Sequence, residues 1–211
     1  MPEKFDRKDF RDPKIWEDNG TYYMLVGCRS EEIPGQVVLF SGKDLKEWKF
    51  ETILAENKTG EIGVMWECPD FFSLGEKHVL ICSPQDMKAQ KYEFHNGHNS
   101  VYFLGDYDEK THTFVKELPH ALDYGMDFYA PQTTELPDRR IMIAWMKSWD
   151  ACVIPNSQDW QGMMTLPREL ELKDGKIWQT PVREIEKYHK NPCRYDHAEI
   201  NQETTLCGIE G

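Results

Sequence analysis

The feature that most constrains this chain is a strand–turn–strand unit that recurs three times. Asp12-Pro13-Lys14-Ile15-Trp16 leads through an Asp18-Asn19-Gly20 turn into Thr21-Tyr22-Tyr23-Met24-Leu25-Val26. Pro69-Asp70-Phe71-Phe72 leads through Gly75-Glu76-Lys77 into His78-Val79-Leu80-Ile81-Cys82. Pro131-Gln132-Thr133-Thr134 leads through Pro137-Asp138-Arg139 into Ile141-Met142-Ile143-Ala144-Trp145. Turn residues between runs of β-branched and aromatic residues are the mark of a hairpin. A second hairpin follows the first two units: Gln36–Phe40 pairs with Trp48–Glu51, and Ser100–Leu104 with Thr113–Lys116. Four strands returning at a period of roughly 60 residues read as one propeller blade per repeat. The competing arrangement is a β-sandwich of unrelated hairpins. A further hairpin, Met163 to Trp178 with its turn at Lys173-Asp174-Gly175, reads as a fourth unit. Helical spacing is confined to a short segment, Arg183–Tyr188. The chain is therefore expected to be all-β, with a propeller over residues 1–190 and a linker, or the start of another domain, over 191–211.

Charge and composition exclude several function classes. A net charge of −12 argues against nucleic acid, which is bound through clustered Lys and Arg. No run of 18 apolar residues exists to span a membrane. The opening Met-Pro-Glu-Lys-Phe-Asp has no apolar core of signal-peptide type, so a cytoplasmic location is expected unless a leader precedes these residues. The six cysteines lack zinc-type spacing and are expected to be free thiols. Asn57-Lys58-Thr59 matches a glycosylation sequon, taken as a chance match. Seven Trp in a polar chain suit either a core or aromatic platforms for sugar rings. His95, His98, His112 and His120 read as loop histidines rather than metal ligands, and neither a metal nor a cofactor is expected.

A propeller carries its site at the mouth of the central channel, where the first strand of each blade begins. The polar residues at those starts are Arg11 and Asp12, then Glu67 and Asp70, then Asp127. One acid at a turn is ordinary. Three at matched phase in a repeat would converge on one pocket, which is what glycoside hydrolysis needs.

Phe10-Arg11-Asp12-Pro13-Lys14, Trp66-Glu67-Cys68-Pro69-Asp70, Asp127-Phe128-Tyr129-Ala130-Pro131-Gln132, Ala144-Trp145-Met146 and Thr165-Leu166-Pro167-Arg168-Glu169-Leu170 occur in the order seen in glycoside hydrolase family 32. The chain resembles that family of invertases, sucrose-6-phosphate hydrolases, inulinases and levanases over roughly residues 5–190. The resemblance implies a five-bladed propeller followed by a β-sandwich. It implies that Asp12 stabilises the transition state, that Arg11 holds its charge and contacts the sugar, and that Glu67 is the general acid/base. Cys68 would sit at the pocket wall or be a packed thiol. Asp70, Asp127 and Tyr129 would contact substrate or support residues that do, and Trp149 would line the sugar pocket.

The family's nucleophile is an Asp in a Trp-Met-Asn-Asp-Pro-Asn motif of the first blade, which these residues do not contain. The expectation is an incomplete propeller lacking its first blade and the C-terminal sandwich, with little or no activity by itself. The expected substrate is a small carbohydrate with a terminal β-fructofuranosyl bond, cleaved with retention. An inverting propeller hydrolase of the arabinan-degrading type and a non-catalytic sugar-binding propeller are the alternatives. A phosphorylated substrate would call for basic residues, for which Lys147 and Arg29 are candidates. Oligomeric state stays open.

Overall fold

The computed structural model describes residues 2–150, 159–160, 162–190 and 196. Twelve strands form three four-stranded antiparallel sheets. The first sheet is β1 (Phe10–Asp18), β2 (Thr21–Cys28), β3 (Gln36–Gly42) and β4 (Lys49–Glu56), in that order. The second is β5 (Trp66–Leu74), β6 (Lys77–Pro84), β7 (Val101–Asp108) and β8 (Thr113–Ala121). The third is β9 (Tyr129–Leu136), β10 (Arg139–Trp145), β11 (Arg168–Lys173) and β12 (Lys176–Pro181). The Met163–Trp178 hairpin is thus not a fourth unit: β10 pairs with β11, and the hairpin completes the third sheet. The interval between them is long enough that sequence spacing alone separated the two halves. Arg183–Tyr188 is a 3-10 helix. The 191–211 linker lies outside the described residues apart from Asp196.

Turn chemistry fixes the hairpins. Asn19 (φ 49°) and Gly20 (φ 74°) close β1 on β2, and Asp174 (φ 53°) and Gly175 (φ 67°) close β11 on β12. Two successive left-handed residues match the twist of the strands they join.

The middle sheet is buried on both faces, and its strands read as continuous apolar runs for that reason. On β6, Leu80 and Cys82 face the first sheet, while Val79 and Ile81 face the third. On β7, Val101 and Phe103 face the first, and Tyr102 and Leu104 the third. Trp66 is fully buried in the first of these layers, and its indole N–H donates to the Ile62 carbonyl at 2.7 Å. A third apolar layer, of Phe5, Val26, Cys28, Val38 and Phe40, covers the other face of the first sheet. Sheets one and two approach so closely that a Cβ on Gly27 would stand 2.1 Å from the Trp66 carbonyl oxygen. Glycine is required there by proximity rather than by backbone angle.

Asn57 of the sequon is buried. Its amide donates to the Gly63 carbonyl at 2.8 Å and accepts from the Ile62 N–H at 3.3 Å, so it organises a loop and offers nothing to a glycan. Cys28, Cys68 and Cys82 are free thiols, while Cys152, Cys193 and Cys207 lie outside the described residues. Among the described residues, no helix is long and apolar enough to cross a membrane.

Candidate active site

The first strand of each sheet carries one backbone irregularity at the same point. Asp12 (φ 60°), Cys68 (φ 48°) and Ala130 (φ 52°) are left-handed, and each is followed by a proline. The pairing register slips there: between Arg11 and Lys14, between Glu67 and Asp70, and opposite Tyr129 to Gln132, between Ile143 and Trp145. Non-glycine residues in this region cost on the order of 1–3 kcal/mol each, and such strain gathers at functional sites. A β-bulge re-aims side chains. Here it lets consecutive residues of one strand, Arg11 with Asp12 and Glu67 with Cys68, both reach the neighbouring sheet.

The result is a three-strand cluster. Arg11 Nε donates to Glu67 Oε1 at 3.0 Å, and Tyr129 Oη donates to Glu67 Oε2 at 2.7 Å. Both oxygens of one carboxylate are thus held by donors from the strands on either side. The Glu67 side chain is 13% exposed, enough for a small molecule to reach. Asp9 Oδ1 accepts from both terminal nitrogens of Arg11, at 2.7 and 2.8 Å, and so orients the guanidinium. Burial, reinforced by the Glu67 carboxylate, pushes the Tyr129 phenol upward, so it stays a proton donor.

Asp12 faces Cys68. Its Oδ2 accepts the Cys68 backbone N–H at 3.0 Å and lies 3.6 Å from the thiol. Burial first, and then the Asp12 charge, raise that thiol to about 12. Cys68 is therefore a weak donor to Asp12 at neutral pH, not a thiolate nucleophile.

The other residues singled out from the sequence occupy different places. Asp70, 1% exposed, points away from the Glu67 cluster: its Oδ2 takes the Thr133 N–H at 2.7 Å, the Thr133 hydroxyl at 2.8 Å and Lys14 Nζ at 3.3 Å. Lys14 also donates to Gln132 Oε1 (3.1 Å) and the Thr133 carbonyl (2.8 Å), so this knot ties all three sheets together. Asp127 is exposed and accepts the Ser148 N–H at 3.2 Å, anchoring the segment after β10. Trp149 is 66% exposed and stands edge-on to Trp145, with ring centres 5.3 Å apart. Arg29 is ion-paired to Asp6 and Asp9, at 3.3 and 2.5 Å. Asp9, Lys14, Gln132 and Ser83, whose carbonyl lies 3.1 Å from Tyr129 Oη, are partners that sequence reasoning did not reach. Matched phase would have found Lys14 and Gln132, which stand two residues after Asp12 and Ala130 as Asp70 stands after Cys68. Among the described residues, no group of three or more His, Cys, Asp or Glu gathers to hold a metal ion.

The comparisons with known proteins converge. "Raffinose invertase" of Escherichia coli is 43% identical over 182 residues, covering 86% of this chain and 38% of that protein. A "Sucrose-6-phosphate hydrolase" of Escherichia coli is 41% identical over 196 residues, covering 92% of this chain and 40% of that one. The structure of the Bombyx mori GH32 beta-fructofuranosidase superposes with a TM-score of 0.83 at 35% identity, over 89% of this chain and 40% of its own. The chain therefore spans about two fifths of the length of the relatives it matches. The family model "Glycosyl hydrolases family 32 N-terminal domain" matches residues 1–181, and the chain belongs to glycosyl hydrolase family 32.

Proposed function

We propose that this chain supplies the acid/base half of a β-fructofuranosidase site, acting on a terminal β-fructofuranosyl bond of sucrose, sucrose 6-phosphate or a fructan. The observation that carries the reading is the Glu67 carboxylate, held by Arg11 on one oxygen and Tyr129 on the other, with Asp12 hydrogen-bonded to the backbone N–H of the adjacent Cys68. The relatives' names supply the substrate class. In this reading the three sheets are blades of a five-bladed propeller over residues 1–190, with a linker beyond.

Glu67 gives its proton to the glycosidic oxygen as the bond to the fructosyl carbon breaks, and then takes one from the attacking water. The cluster manages the proton that this requires. Tyr129 has one hydroxyl proton and two acceptors, Glu67 Oε2 at 2.7 Å and the Ser83 carbonyl at 3.1 Å. While Glu67 is a carboxylate, the phenol donates to it. When Glu67 carries the proton, the phenol turns its own to Ser83 and is left able to accept. Arg11 supplies a fixed positive charge through both states. Asp12 takes hydrogen bonds from the fructose hydroxyls and strengthens them as positive charge develops on the ring.

Retention needs a carboxylate nucleophile, and the reading assigns that to the Asp of the Trp-Met-Asn-Asp-Pro-Asn motif, which is not among these 211 residues. Hydrolysis by these residues alone is therefore expected to be slight. The free thiols of Cys28, Cys68 and Cys82 fit a reducing compartment, and the reading includes a cytoplasmic location. The test is fructose release from sucrose and sucrose 6-phosphate by this chain, beside a version extended at its N-terminus by a family blade carrying the motif. Activity only in the extended protein is expected. Binding without turnover in both would favour a sugar-binding module, and full activity in the chain as written would overturn the assignment of the nucleophile.

A further inference from the structure

We infer that His98, locked in place by Asp150, is a positioning residue for Tyr129 and through it for the Tyr129–Glu67 hydrogen bond. The inference rests on the reading of Glu67 as the acid/base, and it names a pair outside the three motif strands.

His98 lies in the loop between β6 and β7, and its ring meets the Tyr129 ring edge-on, with centres 5.4 Å apart and planes at 77°. Edge-to-face contact of this kind restrains both rings. Tyr129 needs such a restraint. Its hydroxyl stands between two acceptors 2.7 and 3.1 Å away, so a small tilt of the ring redistributes the proton between Glu67 and Ser83.

The His98 ring is itself fixed from the third sheet. Asp150, in the segment after β10, receives the His98 backbone N–H at 2.8 Å and lies 2.9 Å from Nδ1, both through Oδ2. With Asp150 ionised, Nδ1 carries a proton and donates it. The Ser148 hydroxyl donates to the same Oδ2 at 3.2 Å, and Ser148 is in turn held through its N–H by Asp127. The approach is close enough to dictate the neighbouring residue. Gly97 has φ 93°, and a Cβ there would stand 2.2 Å from Asp150 Oδ2. Asp127, two residues before Tyr129, thus closes a ring of contacts that runs through Ser148, Asp150 and His98 back to Tyr129.

The experiment reads Tyr129 in the chain as it stands, without substrate. The protein is labelled at the tyrosine ζ-carbon, and the Tyr129 signal among nine is assigned by its loss in Tyr129→Phe. Glu67→Gln marks the position of the signal when the carboxylate acceptor is gone. His98→Ala is expected to move the wild-type signal toward that position. His98→Phe, which keeps an aromatic edge against the phenol, is expected to restore most of the shift, whereas a role confined to loop order predicts no rescue. Gly97→Ala is expected to resemble His98→Ala. In the blade-extended protein, His98→Ala is expected to lower kcat about tenfold with little change in KM. A Tyr129 signal unmoved by His98→Ala, or moved equally by His98→Phe, overturns the inference. If wild type and extended protein release no fructose while the signal moves as expected, the proposed reaction fails and the positioning role stands.

Discussion

Two carboxylates stand three residues apart on β5, and the molecule treats them in opposite ways. Glu67 lies before the bulge, partly open to solvent, with one donor on each oxygen. Asp70 lies after it, buried, with Lys14, the Thr133 N–H and the Thr133 hydroxyl all converging on one oxygen. Both are served by the same neighbours, β1 on one side and β9 on the other. A buried charge is tolerable when it is paired. Asp70 gathers its partners on Oδ2, leaving its buried Oδ1 with no hydrogen-bond partner among the described residues, so it acts as a joint between elements. A charge that is 13% exposed and rests on two donors keeps room for a third partner, which is what the proposed acid requires. In the proposed reaction one repeat yields a working end at Glu67 and a holding end at Asp70, separated by the left-handed residue and the proline.

The two positions are expected to fail in different ways. Glu67→Gln in the blade-extended protein should cut sucrose hydrolysis by about 10²–10⁴-fold, with a melting temperature close to wild type. Asp70→Ala should do the reverse. It takes the counter-charge from Lys14, which keeps Gln132 and the Thr133 carbonyl, and leaves the buried Thr133 N–H without its acceptor. It should therefore cost about 3–5 kcal/mol of folding stability, measured by urea titration, and activity should fall only with the folded fraction. Equal losses of stability at both positions would erase the distinction. Tyr129→Phe sharpens it. Loss of a hydrogen bond to a charged group is worth about 1.5–3 kcal/mol, so kcat should fall roughly ten- to a hundredfold, while the ring still fills its buried place.

The smallest effect concerns the thiols. Burial raises both Cys28 and Cys68 from 9.0 to about 12. An unfolded chain ionises them from about pH 9, whereas the folded protein holds them protonated until about pH 12. The stability this provides is complete below pH 9 and is lost as pH rises toward 12. Cys68→Ser, whose hydroxyl still donates to Asp12, should flatten part of that alkaline decline in a pH-dependent melting series. An unchanged decline would show that Cys68 is not held as a buried thiol.

The clustering of Arg11, Asp12, Glu67 and Tyr129 was legible because these residues come as a repeated phrase. Arg11-Asp12, Glu67-Cys68 and Tyr129-Ala130 each precede a proline, and matched phase brought them to one place. The holding end was less visible. Asp70 sits in the same phrase, where it reads as a substrate contact or as support for residues that make one, and its burial beneath Lys14 and Thr133 is not legible from the phrase. Phase also misassigned the Met163–Trp178 hairpin. The spacing between β10 and β11 hid the fact that their backbones pair, because ladder hydrogen bonds leave no mark on composition. His98 and Asp150 were the least legible of all. They come from two unrelated loops, and nothing in either loop announces the other.

The central claim is that Glu67 delivers the proton to the leaving group, and leaving-group chemistry tests it most directly. The blade-extended protein and its Glu67→Gln variant would be compared on sucrose and on β-fructosyl fluoride, whose fluoride departs without protonation. The account predicts that Glu67→Gln nearly abolishes hydrolysis of sucrose, while one equivalent of fluoride is released in a burst near the wild-type rate before the step that needs Glu67 as base slows turnover. Parallel loss on both substrates, or retention of both, would contradict it.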